Sequence, residues 1–351
     1  MTVNNTFKTI TLVLALCLLF SLGHQFLATP ELQVSDPKWQ WMNHKIFSSG
    51  NRQADYVFVG SSYIWCAVNS NMVKQSMNAK NAWNFGRNWN GREVDYVIIK
   101  NLLEHQKVKH LIVQFTEYRF QEEHPYARHL ISLPDAVHEL LALPKTAGII
   151  DTLTYSEAFR TNLNTVVSYF SGLSVRMPLN MMTENKHSVQ TIEANDRTNG
   201  FFYKHDKIRQ DPKFLRKYKK RPKWKPRPVK HKQLPNYSRA TFFEEKIKKL
   251  CDKYETKLSF LFVPGYYSHL PSRAVYNHFN RFGDVLLPDI GPVTGLENWR
   301  DHHHLNQKGA AKFTGELITL LKNGKASSPY FRIYNTATRK TGLKNERNNQ
   351  H

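Results

Sequence analysis

The chain has 351 residues, 40% apolar and 13% aromatic, which excludes a disordered polymer and leaves room for a sizeable core. Lysine and arginine number 50 against 28 acidic residues, and a formal charge of +22 calls for an anionic partner or surface. The three cysteines are too few for a disulfide framework: Cys17 lies in an apolar run, and Cys66 and Cys251 read as free buried thiols or as one bridge.

From Ile10 to Leu22 the chain is almost wholly apolar behind Lys8; it weakens at Gly23-His24-Gln25 and resumes at Phe26-Leu27-Ala28. The run is shorter than the roughly 20 residues of a membrane span and has the make-up of a signal segment. Phe26 stands where a small residue should precede a cut after Ala28. Residues 1–28 are therefore expected to stay as a single-pass signal-anchor, with the rest of the chain extracytoplasmic, either periplasmic or at the cell surface. Residues 29–53 read as a linker whose patch Trp39-Gln40-Trp41 suits either a membrane interface or packing on the domain.

Residues 54–322 alternate short β-rich runs with helical patterns. The predicted strands are Asp55–Val59, Ala82–Phe85, His110–Phe115, Leu258–Val263 and Asp284–Leu287. Val94, Val97, Ile98, Asn101 and Leu102 recur at helical spacing between the second and third strands. A second helix is predicted from Arg239 to Tyr254 on Phe242, Phe243, Ile247 and Leu250, and a last one over about 307–322 on Ala310, Phe313, Leu317, Leu320 and Leu321. This alternation implies an α/β domain with a parallel sheet covered on both faces.

The alternation breaks over about 121–238, which reads as an insertion above the sheet's active edge. Its stretch 204–232 holds fourteen lysines and arginines against two aspartates, interleaved with Tyr, Phe and Trp. Pro222, Pro226 and Pro228 forbid a continuous helix there, so an extended basic arm is expected. Its candidate anion-binding residues are Lys217, Lys219, Lys220, Arg221, Lys223, Lys225 and Arg227. The polar, basic tail 323–351 is expected to be disordered.

Two patches carry the chemistry. Tyr56-Val57-Phe58-Val59-Gly60 reads as a buried strand whose turn presents Ser61 and Ser62, and Asp301-His302-His303-His304 sets a carboxylate and an imidazole three residues apart before the last helix. A serine nucleophile needs a base to take its proton and an acid to orient that base. Ser62, His304 and Asp301 supply the three groups. Three consecutive histidines point in different directions, so no metal site and no cofactor is expected.

The blocks Val57-Phe58-Val59-Gly60-Ser61-Ser62, Asn84-Phe85-Gly86 running to Gly91, Leu111-Ile112-Val113-Gln114-Phe115 and Asp301-x-x-His304-Leu305-Asn306 resemble, in order and spacing, those of the SGNH/GDSL hydrolase superfamily. The resemblance covers roughly 54–116 and 257–321. It implies a three-layer α/β/α fold with five parallel strands, Ser62 as nucleophile, and Asp301 and His304 as its partners. It also implies an oxyanion hole, for which Gly91 and Asn90 are the candidates. The third block departs from the pattern: Phe115-Thr116-Glu117-Tyr118 stands where the superfamily carries Gly-x-Asn-Asp, and an ionised Glu117 cannot donate to an oxyanion.

The expected anchor and the Gly-Ser-Ser turn resemble the membrane-tethered branches of the superfamily, which work with a membrane-bound O-acyltransferase on extracytoplasmic polymers. The resemblance implies a serine esterase or O-acyltransferase acting on an acylated or acidic envelope glycan or lipid. The alternative is a non-catalytic scaffold that binds an anionic polymer or docks such an acyltransferase. Nucleic acid is not the expected ligand, since no recognised nucleic-acid module occurs.

Overall fold

The computed structural model describes residues 37–47, 53–88, 91–115, 198–201, 212–219, 224–229 and 238–335. The chain divides into two compact units, Met1–Ser49 with Gln121–Ala194, and Gly50–Phe120 with Asn195–His351. The described part of the first is helix α1 (Pro37–Phe47), which lies inside the stretch read as a linker. Trp39 and Trp41 are buried in the protein, so the aromatic patch is a packing element. The Lys38 ammonium lies 4.5 Å from the centre of the Trp41 ring. The expected anchor, residues 1–28, lies outside the described residues; among these, no helix is long and apolar enough to cross a membrane.

The second unit runs β1 (Gln53–Gly60), α2 (Ser62–Ala67), α3 (Ser70–Ser76), β2 (Ala82–Gly86), α4 (Arg92–His105), β3 (Lys107–Phe115), α5 (Pro212–Tyr218), α6 (Ser238–Lys253), β4 (Lys257–Phe262), α7 (Arg273–Asn280), β5 (Asp284–Leu286), α8 (Gln307–Asn323) and α9 (Phe331–Asn335). All five predicted strands are present and form one sheet in the order β2-β1-β3-β4-β5. Every pair is parallel, with Gly60 opposite Gly86 and Val59 opposite Val113. Helices cover both sides, as expected for three layers: α4 packs with α6, while α8 packs on α2 and α3. Parallel strands covered on both faces need apolar residues at consecutive positions, and Val57, Phe58 and Val59 are fully buried, as are Leu111, Ile112 and Val113.

In this order the connection from β1 runs to one side, to β2, and the connection from its neighbour β3 runs to the other, to β4. A crevice opens where connections diverge at the carboxyl ends of such strands. Ser61 and Ser62 follow β1 at that point. Two glycines bring the chain close there. A methyl group on Gly86 would lie 2.3 Å from the Trp65 backbone nitrogen, so only glycine lets α2 cross the end of β2. One on Gly60 would lie 2.6 Å from Gln114 Cβ, so β1 and β3 meet without a side chain between them.

The same edge buries a chain of charges. Arg87 and Arg92 are each about 1% exposed; Arg87 Nη1 lies 2.8 Å from Asp95 Oδ1 and Arg92 Nη1 3.0 Å from Asp95 Oδ2. Arg92 Nε reaches Glu244 at 3.7 Å, and Glu244 pairs with His278 Nε2 at 2.7 Å. The guanidinium groups also bind backbone carbonyls: Arg87 donates to Gly60 and Gly91, and Arg92 to Gln114. Buried charge survives only when paired and hydrogen-bonded, so this set fixes β1, β3, α4, α6 and α7 against one another.

Two expectations are corrected. Order extends into the tail: residues 325–335 form a turn and α9, because Tyr334 donates to the Pro271 carbonyl, stacks on Tyr276 and is buried, while Ser328 donates to the Leu287 carbonyl. The basic arm is not extended throughout, since α5 forms ahead of Pro222, Pro226 and Pro228; among its described residues, 224–229 runs as open chain. Cys66 and Cys251 are buried thiols with no disulfide between them.

Replacing Arg92 by Met should lower the free energy of unfolding in urea by about 3–5 kcal/mol, because Asp95 and Glu244 lose their shared cation. A loss under about 1 kcal/mol would mean that Arg87 and His278 alone suffice for those carboxylates.

Candidate active site

The turn after β1 separates two neighbouring serines by partner. Ser61 is 2% exposed; its backbone N–H and its hydroxyl both donate to Gln114 Oε1, at 2.8 and 2.9 Å. It also caps α2 by accepting from the Tyr63 N–H. Ser61 is thus consumed by structure, and Ser62 is left half-exposed on the first turn of the helix. Its Oγ donates to His304 Nε2 at 2.8 Å.

His304 is oriented from behind. Its Nδ1 lies 2.9 Å from both Asp301 oxygens, and Asp301 Oδ1 also accepts the backbone N–H groups of His303 and His304 at 2.8 and 3.0 Å. The turn is closed by Arg300 N–H donating to the His304 carbonyl and by a bridge between Trp299 and Leu305. Burial alone would raise the Asp301 carboxyl, but the His304 ring and the two N–H donors outweigh it and hold it down to about 2. With the acid fixed as a carboxylate, Nδ1 of His304 carries the proton and Nε2 is free to accept one from Ser62.

The three histidines part company. His302 packs edge-on to Phe214 and Tyr218 of α5, at centroid distances of 5.1 and 4.6 Å. His303 bonds Tyr63 through Nδ1 at 2.5 Å, and His304 joins the serine and the aspartate. Burial, then the neighbouring His304, push His303 below the ordinary imidazole range, with Asp301 opposing. Its neutrality matters, because the two rings lie 6.1 Å apart and two charges there would repel by about 3 kcal/mol at an effective dielectric of 20.

The oxyanion candidates are placed in part. The Ser62 backbone N–H has no partner among the described residues. Gly91 caps α4, and the Arg87 guanidinium that binds its carbonyl also binds that of Gly60, two residues before Ser62. Asn90 and Glu117 lie outside the described residues.

Compared with known proteins, the chain matches no family model and no curated sequence. The reading of the site therefore rests on its own geometry.

The basic arm docks beside the histidine turn through its aromatics. Phe214, Tyr218 and Trp224 are buried, and Trp224 Nε1 donates to the Ser268 carbonyl at 3.1 Å. Leu270 N–H donates to the Arg227 carbonyl at 3.0 Å, which fastens residues 224–229 along the loop after β4. Lys217, Lys219, Lys225 and Arg227 are exposed. Lys220, Arg221 and Lys223 lie outside the described residues. Sequence reasoning missed Tyr63, Arg87, Arg92, Gln114 and His303; a glutamine inside the apolar run of β3 and an arginine directly after Gly86 were the available signals.

Asp301 is held to about 2 in the folded chain against 3.8 for the free side chain, so its stabilisation is complete above about pH 4 and is lost as pH falls toward 2. Thermal melts should show wild type losing its advantage over Asp301→Asn across that window. A constant gap from pH 5 to pH 2 would contradict the ionic tether.

Proposed function

We propose that this chain is an SGNH-type serine acyl hydrolase or O-acyltransferase acting on an acylated or acidic glycan or lipid of the cell envelope. The single observation that carries the reading is the continuous hydrogen-bond chain from Ser62 Oγ through His304 to the Asp301 carboxylate. The parallel sheet and the position of Ser62 after its first strand agree with the resemblance to that superfamily.

In this reading Ser62 Oγ attacks an ester carbonyl carbon while His304 Nε2 takes the hydroxyl proton. The Ser62 N–H, with that of Gly91, would receive the developing oxyanion. Asp301 stabilises the imidazolium, which then protonates the departing alcohol and leaves an acyl group on Ser62. Water or a glycan hydroxyl, deprotonated by the same imidazole, completes hydrolysis or transfer. No step needs a cofactor. The exposed cations of the arm would gather an anionic acceptor beside the site, with the membrane segment and a membrane-bound O-acyltransferase as the expected partners.

The other reading, a non-catalytic scaffold, draws on Glu117 in the third block. Mutagenesis separates the two. Ser62→Ala and His304→Ala should each cut p-nitrophenyl acetate turnover by about a thousandfold or more, with Asp301→Asn close behind, because the three act as a unit. Equal turnover by wild type and all three variants would leave the scaffold.

The arm is tested separately. Replacing Lys217, Lys219, Lys225 and Arg227 with Gln should weaken sedimentation with an acidic glycan at low salt. The difference from wild type should vanish near 1 M salt, where the Debye length falls to about 3 Å. Equal binding at all salt concentrations would make the arm a solvated surface.

A further inference from the structure

The second imidazole at the mouth of the site has no part in the hydrogen-bond chain from Ser62 to Asp301. Tyr63 follows Ser62 and His303 precedes His304, so the Tyr63–His303 bond runs beside the Ser62–His304 bond and joins the same two turns. The Tyr63 ring lies 5.6 Å from that of His303 and 6.0 Å from that of His304. Gly265 makes room for the pair: a methyl group there would sit 3.4 Å from the Tyr63 hydroxyl and 3.0 Å from the His302 carbonyl.

The bond selects a tautomer. A phenol is the better donor and an imidazole lone pair the better acceptor, so the stronger arrangement has Tyr63 O–H donating to Nδ1. The ring proton then resides on Nε2. His303 is exposed, and its Nε2 has no partner among the described residues. His303 stays neutral beside the charge that forms on His304, so it offers a dipolar N–H rather than a cation.

We propose that His303, with its tautomer set by Tyr63, contacts the substrate, and that its Nε2–H binds an oxygen on the alcohol side of the ester, as an oxygen-rich sugar ester would present. This rests on the reading of Ser62 as nucleophile, since the alcohol must leave past His304 Nε2, next to His303. Tyr63 is a positioning residue that acts through the His303 ring.

Two variants divide the ring between them. Asn at this position places an amide where Nδ1 lies and can keep the Tyr63 bond while removing the outward N–H. Gln reaches the Nε2 position and can restore a donor there while giving up the bond to Tyr63. With glucose pentaacetate as probe, His303→Asn should raise KM about tenfold at nearly unchanged kcat, the worth of one hydrogen bond. His303→Gln should recover most of that loss, and p-nitrophenyl acetate, whose leaving group lacks sugar oxygens, should change less than about twofold in either variant. A silent Asn variant with an impaired Gln variant, or equal losses on both esters, would reduce the pair to a structural latch and overturn the proposal.

A second measurement does not depend on turnover. In wild type labelled with nitrogen-15 histidine, the His303 Nε2–H tautomer should dominate and shift on adding glucose pentaacetate to Ser62→Ala protein, and Tyr63→Phe should mix the tautomers. An Nδ1–H ring, or no shift with the sugar ester, overturns the proposal even if Ser62 is reactive. The expected shifts in a protein that turns over neither ester would instead reject the nucleophile reading while keeping the contact.

Discussion

Two guanidinium groups, those of Arg87 and Arg92, lie almost wholly out of water at the carboxyl edge of the sheet. Taking such charges from solvent costs several kcal/mol each, so they persist only where carboxylates and carbonyls meet them from fixed directions. Asp95 and Glu244 supply the charge, and Gly60, Gly91 and Gln114 supply carbonyls. The strand end before the serines, the glycine that begins α4 and the strand holding Gln114 are thereby fixed together. Gln114 passes the constraint on, because its side chain takes both donors of Ser61 and so turns Ser62 outward. The exposed hydroxyl thus depends on a buried ion network that makes no contact with it.

The opposite wall of the site is built differently. The turn carrying Asp301 and His304 is held by local hydrogen bonds and by aromatic packing of His302 against α5. The described anchors of the arm are aromatic rings and its described lysines and arginines are exposed, so one segment supports the histidine turn and presents cations beside it. In the proposed reading, anion binding and acyl chemistry would share a boundary, as a reaction with a charged polymer as acceptor would require.

The strands were legible because a parallel sheet covered on both faces demands unbroken apolar runs, and Val57 to Val59 and Leu111 to Val113 are such runs. Ser62, Asp301 and His304 were legible as residue types at strand and helix ends, and the structure brings all three within hydrogen-bonding distance. Helices α2 and α3 were not, being too short at six and seven residues for a periodic pattern to register. The buried ion network was hidden for a different reason. Glu244 lies in a helix that reads as amphipathic, and no sequence pattern distinguishes it from the exposed Glu245 beside it. Partners 152 positions apart, such as Arg92 and Glu244, meet only in the fold.

The central claim is that His304, oriented by Asp301, makes the Ser62 hydroxyl a nucleophile. The most direct test is labelling of the intact protein with a fluorophosphonate, followed by mass spectrometry of the modified peptide. The account predicts a single adduct on Ser62, with Ser61 unmodified, and its loss when His304 is replaced by Ala. An adduct on Ser61, no adduct at all, or labelling of Ser62 that does not depend on His304 would contradict it.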